Sequence, residues 1–71
     1  MHVLTIQTQF TFGERVRFDS PTQNRRGSGT IFAITVDNER RIDYIIEVDG
    51  RFGEPLQAGI LEEEIALEGA S

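Results

Sequence analysis

The strongest constraint on the fold of this chain is a strict two-residue alternation in residues 42–48. Apolar side chains occupy every second position, at Ile42, Tyr44, Ile46 and Val48, with mostly polar residues between them. This period predicts a β-strand with one face on a core and the other largely in water. Residues 30–36 are almost all β-branched or aromatic, which predicts a strand buried on most of both faces. The polar segment 37–41 is short enough to join the two strands as a hairpin loop.

Weaker patterns on both sides of this hairpin predict further strands. Residues 12–18 predict a turn and a short strand, with Val16 and Phe18 inward and Arg15 and Arg17 outward. Residues 56–61 predict another strand, which Gly59 weakens. A run of glutamates suits a solvated helix start, so residues 61–65 predict a single helical or 3-10 turn. Residues 65–68 would be the closing strand and 69–71 a frayed tail, which together give one all-β domain over residues 1–71.

The N-terminal segment carries one more strand pattern. Leu4, Ile6, Phe10 and Phe12 share one parity within residues 2–12, and Thr and Gln residues take most of the other. The pattern predicts an additional strand at residues 1–11 that either folds back on its own core or extends as an arm onto another subunit. Because an unpaired strand edge readily recruits partners, homo-oligomerisation through this strand is a further prediction.

Composition excludes several kinds of chemistry. The 71 residues include no cysteine and a single histidine, His2, so a thiolate site and a histidine-assisted nucleophile are excluded. The acidic residues near the central hairpin are expected to form exposed pairs with arginine, so no catalytic residue, cofactor or metal site is predicted. The first ten residues resemble no signal peptide, and no stretch approaches the ~20 apolar residues of a membrane span. The expected location is therefore cytoplasmic.

The net charge of −5 is unevenly distributed along the sequence. Residues 1–36 contain four arginines and two acids, which gives +2, whereas residues 37–71 contain three arginines and ten acids, which gives −7. All seven basic residues are arginine, the better partner for carboxylates, phosphates and aromatic faces. The acidic total argues against a general nucleic-acid binder, and the opposed halves favour docking onto a complementary surface.

A polar segment with proline and glycine, residues 19–29, is predicted to form an exposed loop of about ten residues, where binding usually resides. The sequence therefore favours a non-enzymatic module that binds a protein partner through this loop and an adjacent face. The candidate partner-binding residues are Phe10, Phe12, Arg25, Arg26 and Phe52.

Nucleic-acid binding is the alternative hypothesis. Arginines beside an aromatic side chain on a β surface can hold phosphates and stack a base. The candidate residues for RNA are Arg15, Arg17, Arg25, Arg26 and Phe32.

Four short segments resemble those of small SH3-like barrels. GERVRF at 13–18 resembles their G-D-x-V-x-V opening, and GSGTI at 27–31 resembles their G-x-G-x-V entry to the second strand. YIIEV at 44–48 resembles their third strand, and EEIAL at 63–67 resembles their x-x-L-x-L ending. The resemblance covers about residues 12–68 and implies a five-stranded barrel with one 3-10 turn before the last strand. The KOW-type members of this fold bind RNA, and others are docking barrels of photosynthetic complexes.

The opening TFGERVR at 11–17 is also similar to that of plasmid- and integron-borne type II dihydrofolate reductases, which implies a possible mobile-element origin. In that family four barrels surround one pore, and a Val-Gln-Ile-Tyr segment lines it to bind nicotinamide and folate. The corresponding segment here is Leu56-Gln57-Ala58-Gly59, which keeps the glutamine and lacks the large apolar and hydroxyl groups. The resemblance ranks this enzymatic activity third, behind protein docking and RNA binding.

Overall fold

The computed structural model describes residues 2–69, which form five antiparallel strands in one sheet. The strands are β1 (Arg15–Ser20), β2 (Arg25–Val36), β3 (Ile42–Val48), β4 (Leu56–Leu61) and β5 (Ile65–Leu67), with a 3-10 turn at Glu62–Glu64. The strand order is β4-β3-β2-β1-β5, so β4 and β5 form the two edges of an open sheet. The predicted all-β class is confirmed.

The central hairpin has the predicted form. Strand β3 spans the predicted residues, and its inward side chains Tyr44 and Ile46 are fully buried. The connecting loop is held by Asp37, whose Oδ1 accepts hydrogen bonds from the backbone N–H groups of Glu39 at 2.8 Å and Arg41 at 2.9 Å. The Asp37 side chain thus provides an acceptor for two N–H groups of the loop, as short polar side chains commonly do at the start of a turn.

The prediction of a long loop at residues 19–29 is wrong. Strand β1 continues to Ser20 and pairs with Arg25, so only residues 21–24 form the turn. Asn24 takes a left-handed φ of 53°, which asparagine tolerates, and its N–H donates to the carbonyl of Pro21 at 3.2 Å. The segment looked like a loop because its strand residues are polar and rich in glycine. Most of their polar side chains face water, although Ser20 is buried. A Cβ on Gly29 would lie 2.1 Å from the carbonyl oxygen of Glu47 on β3.

The prediction that residues 30–36 are buried on most of both faces is also wrong. Only Ile31 is buried there, and Phe32 is 53% exposed. Ile31 pairs with Ile46 and Ala33 with Ile45, so Phe32 is an extra residue in a β-bulge. Because one face of this open sheet remains in water, the apolar composition of residues 30–36 does not lead to burial on both faces of β2.

One cluster of side chains on the inner face forms the core. Phe10 packs edge-on against Tyr44, with ring centroids 5.8 Å apart and an interplanar angle of 80°. Val16 and Phe18 of β1 point inward, as predicted. The buried apolar residues are Phe10, Val16, Phe18, Ile31, Tyr44, Ile46, Ile60 and Ile65.

The predicted strand at 56–61 and the turn after it are both confirmed. Gly59 has a positive φ of 76° where β4 bulges opposite β3. Beside the bulge, Gln57 Nε2 donates to the carbonyl of Ala58 at 3.1 Å. At the start of the 3-10 turn, Leu61 N–H donates to Glu64 Oε1 at 2.9 Å. The third residue of the turn thus reaches back to cap its first residues.

The predicted additional strand in the N-terminal segment is absent from the structure over residues 2–12. Gln9 N–H donates to the Glu62 side chain at 3.0 Å rather than to a neighbouring strand. Leu4 and Ile6 lie beside the end of the β2–β3 hairpin, where the two strands already pair with each other. The N-terminal segment therefore meets no free sheet edge there with which it could pair as a strand. Of the predicted tail, Ala70 and Ser71 lie outside the described residues.

Candidate binding surfaces

The outer face of β1 and β2 brings together most of the predicted arginines. Along β1, buried side chains alternate with exposed ones, so Arg15, Arg17 and Asp19 share the outer face. Across the ladder, Arg17 is opposite Ser28, and Asp19 is opposite Arg26. Arg17 and Arg26 are therefore diagonal neighbours on one surface, within reach of a common ligand. Ser28, which the sequence did not single out, lies between them.

Arg15 is committed to acidic residues of its own chain. Its guanidinium donates to both carboxylate oxygens of Asp49, with Nη1 to Oδ1 at 2.9 Å, and lies 3.4 Å from Glu68. The hydrogen bonds with Asp49 raise the pKa of Arg15 and hold the pKa of the Asp49 carboxyl below its usual range. This fork arrangement ties the start of β1 to the turn after β3. Arg15 is thus less available to a ligand than the sequence indicated.

The other three candidate arginines have no such partner within residues 2–69. Arg17, Arg25 and Arg26 are exposed, and none of them takes part in an ion pair there. A shallow, open cleft of about 630 Å³ is lined by two arginines, one serine and three acidic residues, namely Arg17, Arg26, Ser28, Asp19, Glu63 and Glu64. A guanidinium can bind a carboxylate or a phosphate through two parallel hydrogen bonds. The two guanidinium groups can therefore bind an anionic group directly, although acidic side chains outnumber them in the cleft.

The aromatic candidates separate into different environments. Phe10 is 7% exposed and belongs to the core, whereas Phe12 is 65% and Phe52 94% exposed. Phe52 lies in the turn after β3, at the same end of the sheet as Arg25 and Arg26, because β3 ends opposite the first part of β2. The structure thus brings Phe52 and the two arginines to one end and places Phe10 inside. Their roles in binding stay predictions.

Two polar links between the sheet and the 3-10 turn were not anticipated from the sequence. The Tyr44 hydroxyl donates to Glu62 Oε2 at 2.5 Å, and the Ser20 hydroxyl donates to Glu64 Oε1 at 2.9 Å. Burial, together with the adjacent Glu62 carboxylate, raises the pKa of Tyr44 to about 12. The triple-glutamate run is the only signal that could have suggested these links, and its partners are distant in sequence. Both links hold the turn in place, and the link from Ser20 to Glu64 borders the cleft that contains Arg17 and Arg26.

No helix within the described residues is both long and apolar enough to span a bilayer. Nor do residues 2–69 contain a group of three or more histidine, cysteine, aspartate or glutamate side chains placed to hold a metal ion. Comparison of the chain with protein-family models, with curated proteins and with solved structures gives no match. The chemistry of its own surface is therefore the basis for assigning a function.

Proposed function

We propose that this chain is a small non-enzymatic module that binds a protein partner through the β1–β2 hairpin and the adjoining outer face of the sheet. The observation that carries the proposal is the contrast among the arginines. Arg15 and Arg41 are paired with acids of their own chain, whereas Arg17, Arg25 and Arg26 extend into water without an ion-pair partner within residues 2–69. Arginine is well suited to interfaces because its guanidinium is weakly hydrated and binds planar anions.

We further propose that the sheet is an SH3-like barrel that stops short of closure. The 3-10 turn directly before the last strand matches the arrangement that the resemblance implies. The sheet also curls, since the side chain of Gln23 in the β1–β2 turn lies against Gly59 of the edge strand β4. A cytoplasmic location and a mobile-element origin remain proposals from the sequence.

The partner that fits the basic surface is an acidic protein segment. Glutamate or aspartate side chains of such a segment would bind Arg17 and Arg26, and Ser28 between them offers a hydroxyl. Because the whole chain carries a net charge of −5, an acidic partner would bind only where the arginines locally outweigh this charge. Binding should therefore be local to the hairpin and sensitive to salt.

An NMR titration of the isotopically labelled chain with a glutamate-rich peptide tests the proposal. We expect chemical-shift changes around the β1–β2 hairpin, and these should be lost when Arg17, Arg25 and Arg26 are all replaced by glutamine. The matched control replaces Arg40, Arg41 and Arg51, three arginines outside the β1–β2 hairpin, by glutamine and so removes the same charge. Equal binding by the triple variant and the control would refute the proposal.

One observation favours RNA as a second candidate. Phe32 is half exposed on the outer side of β2 rather than part of the core, so its ring is available for stacking. A fluorescence-anisotropy titration with mixed-sequence RNA at two salt concentrations distinguishes the two candidates. Micromolar binding that weakens steeply with salt and needs Phe32 would move RNA to first place. The absence of binding at low salt would remove it.

The third hypothesis concerns the segment 56–59, which forms the start of β4. Gln57, which matches the family motif, accepts a hydrogen bond from Arg51, and the next two residues form the bulge. An assay of NADPH-dependent dihydrofolate reduction tests this hypothesis directly, and we expect no turnover.

A further inference from the structure

An apolar row crosses the outer face of β2, β3 and β4. Ile45 lies between the fully buried Tyr44 and Ile46, so its side chain points to the opposite face of the sheet. On β2 it is paired with Ala33, next to the bulged Phe32. On β4 the corresponding position is the bulge at Ala58. The row therefore runs Phe32, Ala33, Ile45, Ala58 across three adjacent strands.

The outer face of an antiparallel sheet is normally polar, so an apolar row there needs an explanation. Phe32 is 53% exposed, and Leu56, next to the row on β4, is 42% exposed. The chain before β1 also reaches this part of the sheet. The N–H of Gly13 donates to the carbonyl of Ile31 at 3.0 Å, which brings the exposed Phe12 alongside the same stretch of β2. Contiguous exposed apolar side chains of this kind mark interaction sites.

Acidic side chains lie on both sides of the row. On β3, Asp43 and Glu47 are each two residues from Ile45 and therefore share its face. Neither carboxylate takes part in an ion pair within residues 2–69. Their cross-strand neighbours on β2 are Thr35 and Thr30, which carry no charge. Arg41 lies near Asp43, and Arg15 donates to Thr30 beside Glu47, but neither arginine forms an ion pair with these carboxylates within residues 2–69. The surface is therefore an apolar centre between two carboxylates that can still bind a cationic side chain.

This charge pattern selects the kind of partner. A second copy of the chain, packed face to face on the row, would bring two aspartates and two glutamates together at a desolvated interface, which is unfavourable. A segment with apolar side chains at its centre and arginine or lysine at each end would instead cover the row and pair with both carboxylates. The occupant that fits is a basic-flanked apolar segment of another protein.

We propose that the row formed by Phe32, Ala33, Ile45 and Ala58, between Asp43 and Glu47, is a binding site for such a segment. This site is separate from the arginine surface, and it selects a partner of the opposite charge. The proposal for the arginine surface and the proposal for this row can therefore fail independently, since the arginine variants change no residue of the row.

Two short peptides with the same apolar centre, one flanked by arginines and the other by glutamates, serve as probes in an NMR titration of the labelled chain. We expect the arginine-flanked peptide to shift the signals of β2, β3 and β4 and to bind more weakly as salt increases. Replacing Phe32 and Ile45 by serine should weaken this binding about tenfold or more, because the buried apolar contact is lost. The variant Asp43→Asn with Glu47→Gln should bind the two peptides equally.

The control is Val3→Ser, which removes an apolar side chain that is 84% exposed in the N-terminal segment, outside the row, and should leave the affinity unchanged. Far-UV circular dichroism confirms that each variant folds. The proposal is overturned if the serine double variant binds the arginine-flanked peptide as the wild type does, or if both peptides shift the signals of the row residues with equal affinity. Sedimentation of the chain alone gives a further test. Self-association that the Phe32 and Ile45 substitutions abolish would make a second copy the occupant and would also overturn it.

Discussion

Deprotonation of a single side chain, Tyr44, should destabilise the folded protein at high pH. The chain contains one tyrosine, no lysine and no cysteine, so Tyr44 is the only side chain that titrates between about pH 9 and pH 12. Its ring is fully buried, and its hydroxyl donates to Glu62 at 2.5 Å. Burial and the adjacent carboxylate raise the pKa of Tyr44 to about 12, against about 10 for an exposed tyrosine.

The direction of the effect follows from linkage. Because the pKa of Tyr44 is higher in the folded state than in the unfolded state, its contribution to stability is fully present below pH 10. That contribution is then lost as the pH rises towards about 12. A difference of two units corresponds to about 3 kcal/mol in the free energy of unfolding. This is a large fraction of the stability expected for a domain of this size, at about 0.05–0.15 kcal/mol per residue.

Urea unfolding followed by far-UV circular dichroism at a series of pH values measures this loss, and absorbance at alkaline pH reports the titration of the single tyrosine. The variant Tyr44→Phe should lose about 1.5–3 kcal/mol near neutral pH, since it lacks a hydrogen bond to a charged acceptor. Its stability should then be nearly constant up to about pH 12. A midpoint near 10 in the folded protein would refute the reasoning, as would an equal alkaline loss in the variant.

Substitutions at three positions, two of them with a control, test the packing. Gly29→Ala should destabilise the fold by about 3 kcal/mol or more, because its Cβ would lie 2.1 Å from a backbone oxygen of β3. The control Gly27→Ala, whose Cβ would meet its nearest neighbour at 3.4 Å, should cost less than about 1 kcal/mol in thermal unfolding. Phe10→Ala should lower the free energy of unfolding by about 3–5 kcal/mol, whereas Phe52→Ala should change it by no more than about 0.5 kcal/mol. Equal urea midpoints for the two variants would contradict the assignment of Phe10 to the core. Ser20→Ala should cost about 1–2 kcal/mol, since it removes a buried hydroxyl that bonds to the 3-10 turn, and an unchanged melting temperature would exclude that role.

The sequence predicted the elements whose patterns are local. The alternation around Tyr44 marked β3 to the residue, and the glutamate run marked the 3-10 turn, because each depends only on neighbours in sequence. The β1–β2 hairpin was missed because its polar strand residues and its glycines resemble a loop. Gly29 is required by close approach to β3, a contact that no local pattern contains.

The candidate surfaces were less predictable than the strands. Arginines 17, 25 and 26 were identified from their charge alone, but the pairing of Arg15 with Asp49 joins residues 34 positions apart in the sequence. Phe10 was a candidate for partner binding but lies in the core, whereas Phe32 is 53% exposed in a segment that was expected to be buried on most of both faces. An aromatic residue in an apolar strand is not necessarily buried when the sheet is open and a bulge turns it outward. Which face a residue occupies depends on register, which is a property of two strands rather than one.

A sheet that does not close has two edges, and each could extend into a neighbouring molecule and begin an aggregate. On the β4 edge, the Gln57 side chain donates to the carbonyl of Ala58, and the Glu64 side chain accepts from the N–H of Leu61. Between these two hydrogen bonds, the positive φ of Gly59 interrupts the regular strand. An incoming strand would have to displace these bonds before it gained any of its own. The other edge, β5, is three residues long. The chain can thus leave its sheet open and still resist polymerising through its own backbone.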